Sequence, residues 1–201
     1  MSSATFNWDF AFALVRATTC AFGALLFAQA AWSKLRDLAV FRGVLSAYRL
    51  LPPPLVAPMA VLLPAGEAGV AILLLIPPTQ FAGASLAAVL MMGFASAIAL
   101  NVTRGRITID CGCGGRRGRQ HLSFRLACRN LVLATLFALC AHAQTTVMDV
   151  GGALIAVAAG ASLFLLYASY ETLAAESKRP IQRISPTLRR LAWSRPPGGI
   201  S

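Results

Sequence analysis

Charged side chains are scarce in this chain. Asp, Glu, Lys and Arg make up 12% of its 201 residues, whereas a soluble domain has about 25%. Hydrophobic residues make up 57%, and the mean hydropathy is +0.68. This composition argues against a soluble domain and indicates a protein of the lipid bilayer.

Acidic residues are the rarer of the two charge types. Seven Asp and Glu stand against 18 Lys and Arg, which gives a net charge of +11. A basic excess of this size favours nucleic acid when it lies in a groove with aromatic side chains. Here the basic residues are scattered over short connections between apolar runs. We therefore expect no nucleic-acid partner.

Five apolar runs of about 20 residues are long enough to cross a bilayer. Because lipid offers no hydrogen-bond partner to backbone amides, such runs form helices. We predict an all-α integral membrane protein, with four spanning helices in residues 1–143 and a fifth in 144–170. Residues 171–201 are expected to form a basic tail without folded structure. The runs are residues 10–32, 55–76, 81–100, 122–143 and 150–170.

No Lys or Arg precedes the first run, and Asp9 stands where a signal peptide would carry positive charge. Although residues 28–30 look like a cleavage site, we expect the run to remain as a span. The third run is rich in small residues, which predicts a central position in the bundle. Residues 33–54 carry apolar side chains at helical spacing, which predicts an interfacial helix.

The basic residues lie on one side of the predicted spans. Fifteen of the 18 fall in connections that share a side, and the other three lie within spans. The positive-inside rule then places the N-terminus outside and the C-terminus in the cytoplasm.

The connection between the third and fourth spans carries a Cys-Gly-Cys motif within residues 110–121. Two thiols separated by one residue close a disulfide ring only if the backbone bends sharply, which glycine permits. Such a ring is strained and easily reduced, and nearby guanidinium groups favour the reactive thiolate. The motif predicts thiol–disulfide exchange by Cys111 and Cys113. The supporting residues of the motif are Asp110, Gly112, Gly114, Arg116 and Arg117.

Glu67 lies near the middle of the second span and needs a partner there. If neighbouring spans share the same depth, Arg16 is the closest cation, and Arg129 lies about 8 Å nearer the cytoplasm. Two interpretations stay open. Glu67 belongs either to an ion pair that fixes helix packing or to a polar wall beside the thiols or a quinone-like acceptor.

The remaining cysteines, Cys20, Cys128 and Cys140, lie within spans, and we interpret them as buried structural thiols. A metal site formed by the motif thiols with His121 and Cys128 is a weaker interpretation. The motif lacks the common two-residue spacer, and Cys128 should already lie inside the membrane. We predict no metal.

An ordered set of residues resembles the MauE family of methylamine utilisation membrane proteins, within the wider DoxX-like group. The resemblance covers about residues 22–140 and is most specific between 101 and 130. It departs at Gly114, where the family usually has Phe. The matching positions, which we take as candidate site residues, include Lys34, Glu67, Asn101, Arg104, Asp110, Cys111, Cys113, Arg129 and Asn130.

The resemblance implies a role in making methylamine dehydrogenase, whose small subunit matures in the periplasm with several disulfides. A thioredoxin-like protein is the implied partner, and a quinone is a possible cofactor. Charge counting instead places the thiols on the cytoplasmic side. Three explanations of this conflict stay open. Either the loop re-enters the bundle, or the protein carries reducing equivalents across the membrane, or the thiol pair is only structural.

Two other functions stay open beside thiol–disulfide exchange. A non-catalytic scaffold for assembly would need the helix bundle but not the thiols. A transporter for a small solute could use Glu67 to neutralise a cation, but the chain shows no inverted repeat. The lipid bilayer is a partner in each case.

Overall fold

The computed structural model describes residues 8–106, 122–142 and 149–176. Within these ranges the chain is helical and contains no strand. The elements are α1 (Trp8–Leu35), α2 (Leu38–Tyr48), α3 (Pro53–Leu75), a single 3-10 turn (Pro77–Thr79), α4 (Gln80–Thr103), α5 (Phe124–His142) and α6 (Val150–Glu176). The predicted all-α fold is confirmed.

Five helices of the described ranges are long and apolar enough to cross a membrane. They are α1, α3, α4, α5 and α6, and their ends lie within three residues of the predicted runs except at one point. Helix α6 continues to Glu176, so six residues that the sequence assigned to the tail belong to a helix. The chain is an all-α multi-pass membrane protein.

Helix α2 forms where the sequence predicted a short helix. The Asp37 side chain caps its N-terminus by accepting a hydrogen bond from the Val40 amide at 3.3 Å. Arg49 ends it in the left-handed conformation, with φ of 48°. Three prolines, 52–54, then begin α3, because the first turn of a helix needs no amide donors.

Helix α1 lies at the centre of the bundle, where the sequence had predicted the third span, which is α4. Helix α1 packs against α3 and α6 over long stretches and also contacts α2 and α5. Its spanning window is 56% buried, whereas that of α4 is 33% buried. Some small residues of α4, such as Ala84, Ala87 and Ala95, are buried, whereas Gly93 and Ser96 are exposed, and α4 packs mainly on α5. Small residues decide how closely two helices approach, but not how many neighbours a helix has.

Gly23 marks the level at which α1, α3 and α5 meet. A Cβ atom there would lie 2.5 Å from the Phe137 ring and 3.1 Å from Leu74 Cδ1. Leu74 is the second-to-last residue of α3, so α3 ends beside the middle of α1. The helices are therefore offset along the bundle by several turns, and this offset decides which charges meet.

Gly160 allows α6 to lie directly on α1. A Cβ atom at this position would lie 2.6 Å from Ala21 Cβ and 2.9 Å from both the Phe22 amide nitrogen and the Thr18 carbonyl oxygen. Two of these atoms belong to the backbone, so they cannot rotate away. Any larger residue must push the two helices apart.

We expect Gly160→Ala to lower the free energy of unfolding by about 1–3 kcal/mol, because overpacking forces the backbone to shift. Gly69 is a matched control, since a Cβ atom there meets nothing within 4 Å. Gly69→Ala should be neutral or should stabilise by up to about 1 kcal/mol. Thermal unfolding of both purified variants in detergent measures the difference. Equal unfolding midpoints would contradict the close contact of α1 with α6.

Candidate functional site at one end of the bundle

A buried ion pair joins α1 to α3. Lys34 Nζ lies 2.5 Å from Glu67 Oε1, and the two side chains are only 3% and 1% exposed. The ammonium group also lies over two aromatic rings, 5.6 Å from the centre of Phe41 and 5.4 Å from that of Phe94. The charge of Lys34 is thus met by a carboxylate and two π faces inside the bundle.

The expectation that Arg16 would pair with Glu67 by depth is wrong, and the offset of α3 explains why. Glu67 lies seven residues before Leu74, or about 10 Å from the level of Gly23 along the helix. Arg16 lies seven residues from Gly23 on the opposite side. Lys34 is close enough because side chains on a helix lean toward its N-terminus, which here means toward Glu67.

A cavity of about 400 Å³ lies between α2, α3 and α4, with Lys34 in its wall. The lining is otherwise almost entirely apolar and includes Phe41, Tyr48 and Phe94. This volume lies within the range of small-molecule sites. An apolar ring or an acyl chain suits such a lining. The quinone suggested by the sequence stays a prediction.

The end of α4 sets the direction in which the chain leaves the bundle. The Gly105 amide donates to the Val102 carbonyl at 3.0 Å, and the Arg106 amide donates to the Asn101 carbonyl at 2.9 Å. Gly105 has φ of +72°. These features form a Schellman cap, in which a glycine takes the left-handed conformation. Arg104 lies exposed within the cap.

Two asparagines are buried at this same end. Asn101 has no exposed surface and donates its side-chain amide to the Ala97 carbonyl at 3.0 Å. Asn130, on α5, is 2% exposed and accepts a hydrogen bond from Arg129 Nη2 at 3.2 Å. Both predicted positions are therefore interior polar groups, and they are not solvent-facing ligands.

Arg129 ties α5 to α6. Its Nη1 lies 2.9 Å from Glu171 Oε2, and its guanidinium carbon lies 5.9 Å from the centre of the Tyr167 ring. One turn earlier, Arg125 lies 5.6 Å from the Tyr170 ring. Glu171 was missed by the sequence analysis, which had placed it in the tail. Glu171 follows Tyr167 by four residues, so the two share a face if the helix continues. This spacing was the signal available in the sequence.

The Cys-Gly-Cys motif lies outside the described residues. Segment 107–121 contains Cys111 and Cys113 together with Asp110, Gly112, Gly114, Arg116 and Arg117. The assigned roles of these residues stay predictions. The described chain resumes at Leu122, which is 2% exposed and packs in one cluster with Ile98 and Leu126.

The candidate residues that the structure describes lie near the end of the bundle at which α4 ends and α5 begins. The exception is Glu67, which lies deeper in the bundle and contacts Lys34. Lys34, Arg104 and Asn101 lie at or near the last turns of their helices, and Arg129 and Asn130 lie in the first half of α5. They do not form a single contact set. Lys34 contacts Glu67, whereas Arg129 contacts Asn130 and Glu171.

The other three cysteines differ in their burial. Cys20 and Cys140 are 1% and 6% exposed, and their sulfur atoms lie 3.6 Å apart. Cys128 is exposed, so the interpretation of all three as buried thiols is wrong for this residue. Cys128 lies on the outer face of α5 because that helix buries the stripe through Leu126, Leu133 and Phe137.

Five spanning helices held together by internal ion pairs define a multi-pass, all-α membrane protein. The chain also matches a family profile described as methylamine utilisation protein MauE over residues 11–143. This match covers more than half of the chain, and it ends before α6. The chain belongs to the MauE family and is a protein of methylamine utilisation.

Curated relatives support the same family. The chain is 42% identical to the MauE protein of Methylophilus methylotrophus over 149 residues, covering 73% of this chain and 78% of the relative. It is 42% identical to that of Paracoccus versutus over 155 residues, covering 76% and 83%. The Paracoccus denitrificans protein is 46% identical over 115 residues, which cover 57% of this chain and 62% of the relative. No solved structure matches the chain significantly.

We expect Lys34→Met or Glu67→Gln to lower the free energy of unfolding by about 3–5 kcal/mol, because each removes one charge of a buried ion pair. The double variant should lose less than either single variant, since no charge is then left facing a neutral partner. Arg129→Gln is the comparison, with a smaller loss expected because that pair is 21% and 14% exposed. Thermal unfolding in detergent gives all four values. Additive losses at Lys34 and Glu67 would contradict the pairing.

We expect Gly105→Ala to lower the free energy of unfolding by about 1–2 kcal/mol, the cost of a left-handed conformation with a Cβ atom. Gly43→Ala in the interior of α2 is the matched control, since a Cβ atom there meets nothing within 4 Å. This control should be neutral or slightly stabilising. Chemical unfolding of both variants checks the prediction, and it fails if the two changes have the same effect.

Proposed function

We propose that this MauE-family protein assists maturation of the periplasmic methylamine dehydrogenase small subunit by thiol–disulfide exchange at Cys111 and Cys113. The observation that carries the proposal is the Cys-Gly-Cys motif itself, which lies within the region matched to the MauE family. A thiol pair with glycine neighbours and adjacent arginines has the chemistry for reversible exchange.

The exchange conserves atoms and electrons. When the pair is oxidised, a client thiolate attacks one sulfur, forms a mixed disulfide and releases the other sulfur as a thiolate. A second client thiolate then displaces the first sulfur, so the client gains a disulfide and the protein gains two thiols. Two electrons have passed from the client to the protein. A thioredoxin-like partner exchanges with the pair by the same two steps.

The cations that could stabilise a thiolate at the motif differ in their described partners and in their distance from the motif along the chain. Lys34 is held by Glu67, and Arg129 by Glu171, so these two charges serve the helix packing. Arg104 is exposed at the end of α4, near the start of the segment that contains the thiols. Arg116 and Arg117 follow the thiols in sequence. These three arginines are our candidates for favouring the thiolate.

The basic connections favour an inner-membrane location with the N-terminus outside and the C-terminus in the cytoplasm. In this orientation the end of α4 and the start of α5, which flank the motif in sequence, face the cytoplasm. The presumed client lies on the other side. The thiol pair would therefore handle reducing equivalents that have to cross the bilayer, and the bundle would supply the route or the partner contacts.

We expect Cys111→Ser and Cys113→Ser, alone or together, to abolish production of active methylamine dehydrogenase while the membrane level of the protein stays unchanged. Cys128→Ser is the matched control, because this thiol is exposed on α5 and lies outside the motif. Dehydrogenase activity in periplasmic extracts and immunoblotting of membranes measure both quantities. Normal activity in the double serine variant would instead support a scaffold that needs no thiols.

Sidedness is tested by labelling the same thiols with a membrane-impermeant maleimide. Label should reach Cys111 and Cys113 in inverted vesicles and not in intact spheroplasts, and pretreatment with a reductant should increase it. Labelling from the outer side alone would overturn the proposed orientation of the motif.

A further inference from the structure

A second thiol pair, formed by residues outside the Cys-Gly-Cys motif, lies inside the helix bundle. Cys20 on α1 and Cys140 on α5 have their sulfur atoms 3.6 Å apart, and both side chains are buried. A disulfide needs about 2.05 Å between its sulfurs, so a small shift of the side chains would allow the bond. The sequence separation of 120 residues hides this contact from any motif search.

The packing of α1 against α5 fixes the pair. Cys20, Gly23 and Phe27 form one stripe along α1, and Phe137 and Cys140 lie opposite them on the antiparallel α5. The Phe137 ring fills the space over Gly23 and lies 5.9 Å from the Phe27 ring, measured between ring centres. The two thiols are therefore held side by side by aromatic packing one turn away.

A buried cation accompanies the thiols. Arg16 is 8% exposed, its carbonyl oxygen lies 3.8 Å from the Cys140 sulfur, and its charged side chain interacts electrostatically with both thiols. Its Nε atom has no hydrogen-bond partner among the described residues. A buried donor without a partner is costly, and it is a position at which a ligand oxygen can bind.

The geometry points to a second redox site, in which Cys20 and Cys140 form a reversible disulfide and transfer two electrons to a lipid-soluble quinone. Two S–H bonds break and one S–S bond forms. The two electrons and two protons reduce the quinone to its hydroquinone. The Arg16 Nε–H group would donate to a quinone oxygen, and the arginine charge would balance a thiolate formed during the reaction.

A quinone is the oxidant that this setting favours. The thiols lie on membrane-spanning helices and are almost completely buried, so a folded protein disulfide cannot reach them. The pair lies near the C-terminal end of α5, which ends two residues later at His142. A lipid-soluble molecule reaches membrane-spanning helices from within the bilayer, so the proposed oxidant is a small apolar one.

This site lies toward the C-terminal end of α5. Cys140 is sixteen residues beyond Phe124, or about 24 Å along the helix from its first residue. In the orientation proposed above, the Cys20–Cys140 pair faces the periplasmic half of the bilayer, although its chemistry does not depend on that orientation.

The test uses the full chain with Cys111, Cys113 and Cys128 replaced by serine, which leaves two of its five cysteines. The purified variant, fully reduced in lipid nanodiscs, is incubated with a short-chain ubiquinone analogue. It is then denatured with a maleimide and weighed by intact mass spectrometry. We expect the protein to take up no label, to lose the mass of two hydrogen atoms and to form one hydroquinone. Dithiothreitol should restore both thiols.

Arg16→Gln in this background should slow the reaction about tenfold, because the cation beside the reacting sulfur is lost. Arg125→Gln, a cation at the other end of α5, is the matched control and should leave the rate unchanged. Replacing Cys140 by serine should abolish hydroquinone formation. Circular dichroism of each variant confirms that the helices remain folded.

Two results would overturn the assignment. One is that both thiols still take up maleimide on denaturation after the folded protein has been treated with the quinone. The other is a gain of quinone mass, since addition of the ring to a single thiol is not disulfide formation. Because this variant lacks Cys111 and Cys113, the outcome is independent of the function proposed for the motif.

Discussion

The fold depends on the requirement that a charge inside a membrane bundle meets its opposite within the bundle. Lys34 and Glu67 meet this requirement between α1 and α3, and Arg129 and Glu171 meet it between α5 and α6. Lys34 and Glu67 are 33 residues apart in sequence, and Arg129 and Glu171 are 42 apart. The first pair includes the central helix α1, and the second includes α6, which packs on α1. Hydrophobic packing alone would not select these partners, because lipid is as apolar as the helix surfaces.

The offset between helices decides which charges can meet. Leu74, near the end of α3, lies beside Gly23 in the middle of α1, so α3 is displaced toward the C-terminal end of α1. This displacement brings Glu67 to Lys34 and leaves Arg16 near the other end of the bundle. Arg16 then lies beside the Cys20–Cys140 pair, where its charge has a different use. The close packing at Gly23 therefore places Lys34 beside Glu67 and Arg16 beside the two thiols.

The sequence predicted the helices well and their partners poorly. Length and hydropathy are local properties, so the five spans were placed within three residues of their ends, apart from the end of α6. Lys34 was counted among the loop residues and Glu171 in the tail because both follow long apolar runs. Their burial depends on side chains leaning back into the bundle and on α6 continuing as a helix. The approach of Cys20 to Cys140 depends on helix pairing, which no local pattern encodes.

A second thiol pair near the C-terminal end of α5 would change how the conflict between the side of the motif and the side of the client is understood. If electrons enter or leave at Cys111 and Cys113, those thiols need not reach the periplasm themselves. A mobile quinone can carry the electrons, since it diffuses through the lipid and exchanges two electrons and two protons at each site. The distance along α5 then matters little, because the carrier moves while the protein stays still. In this scheme the helix bundle is the frame that holds Cys20 beside Cys140.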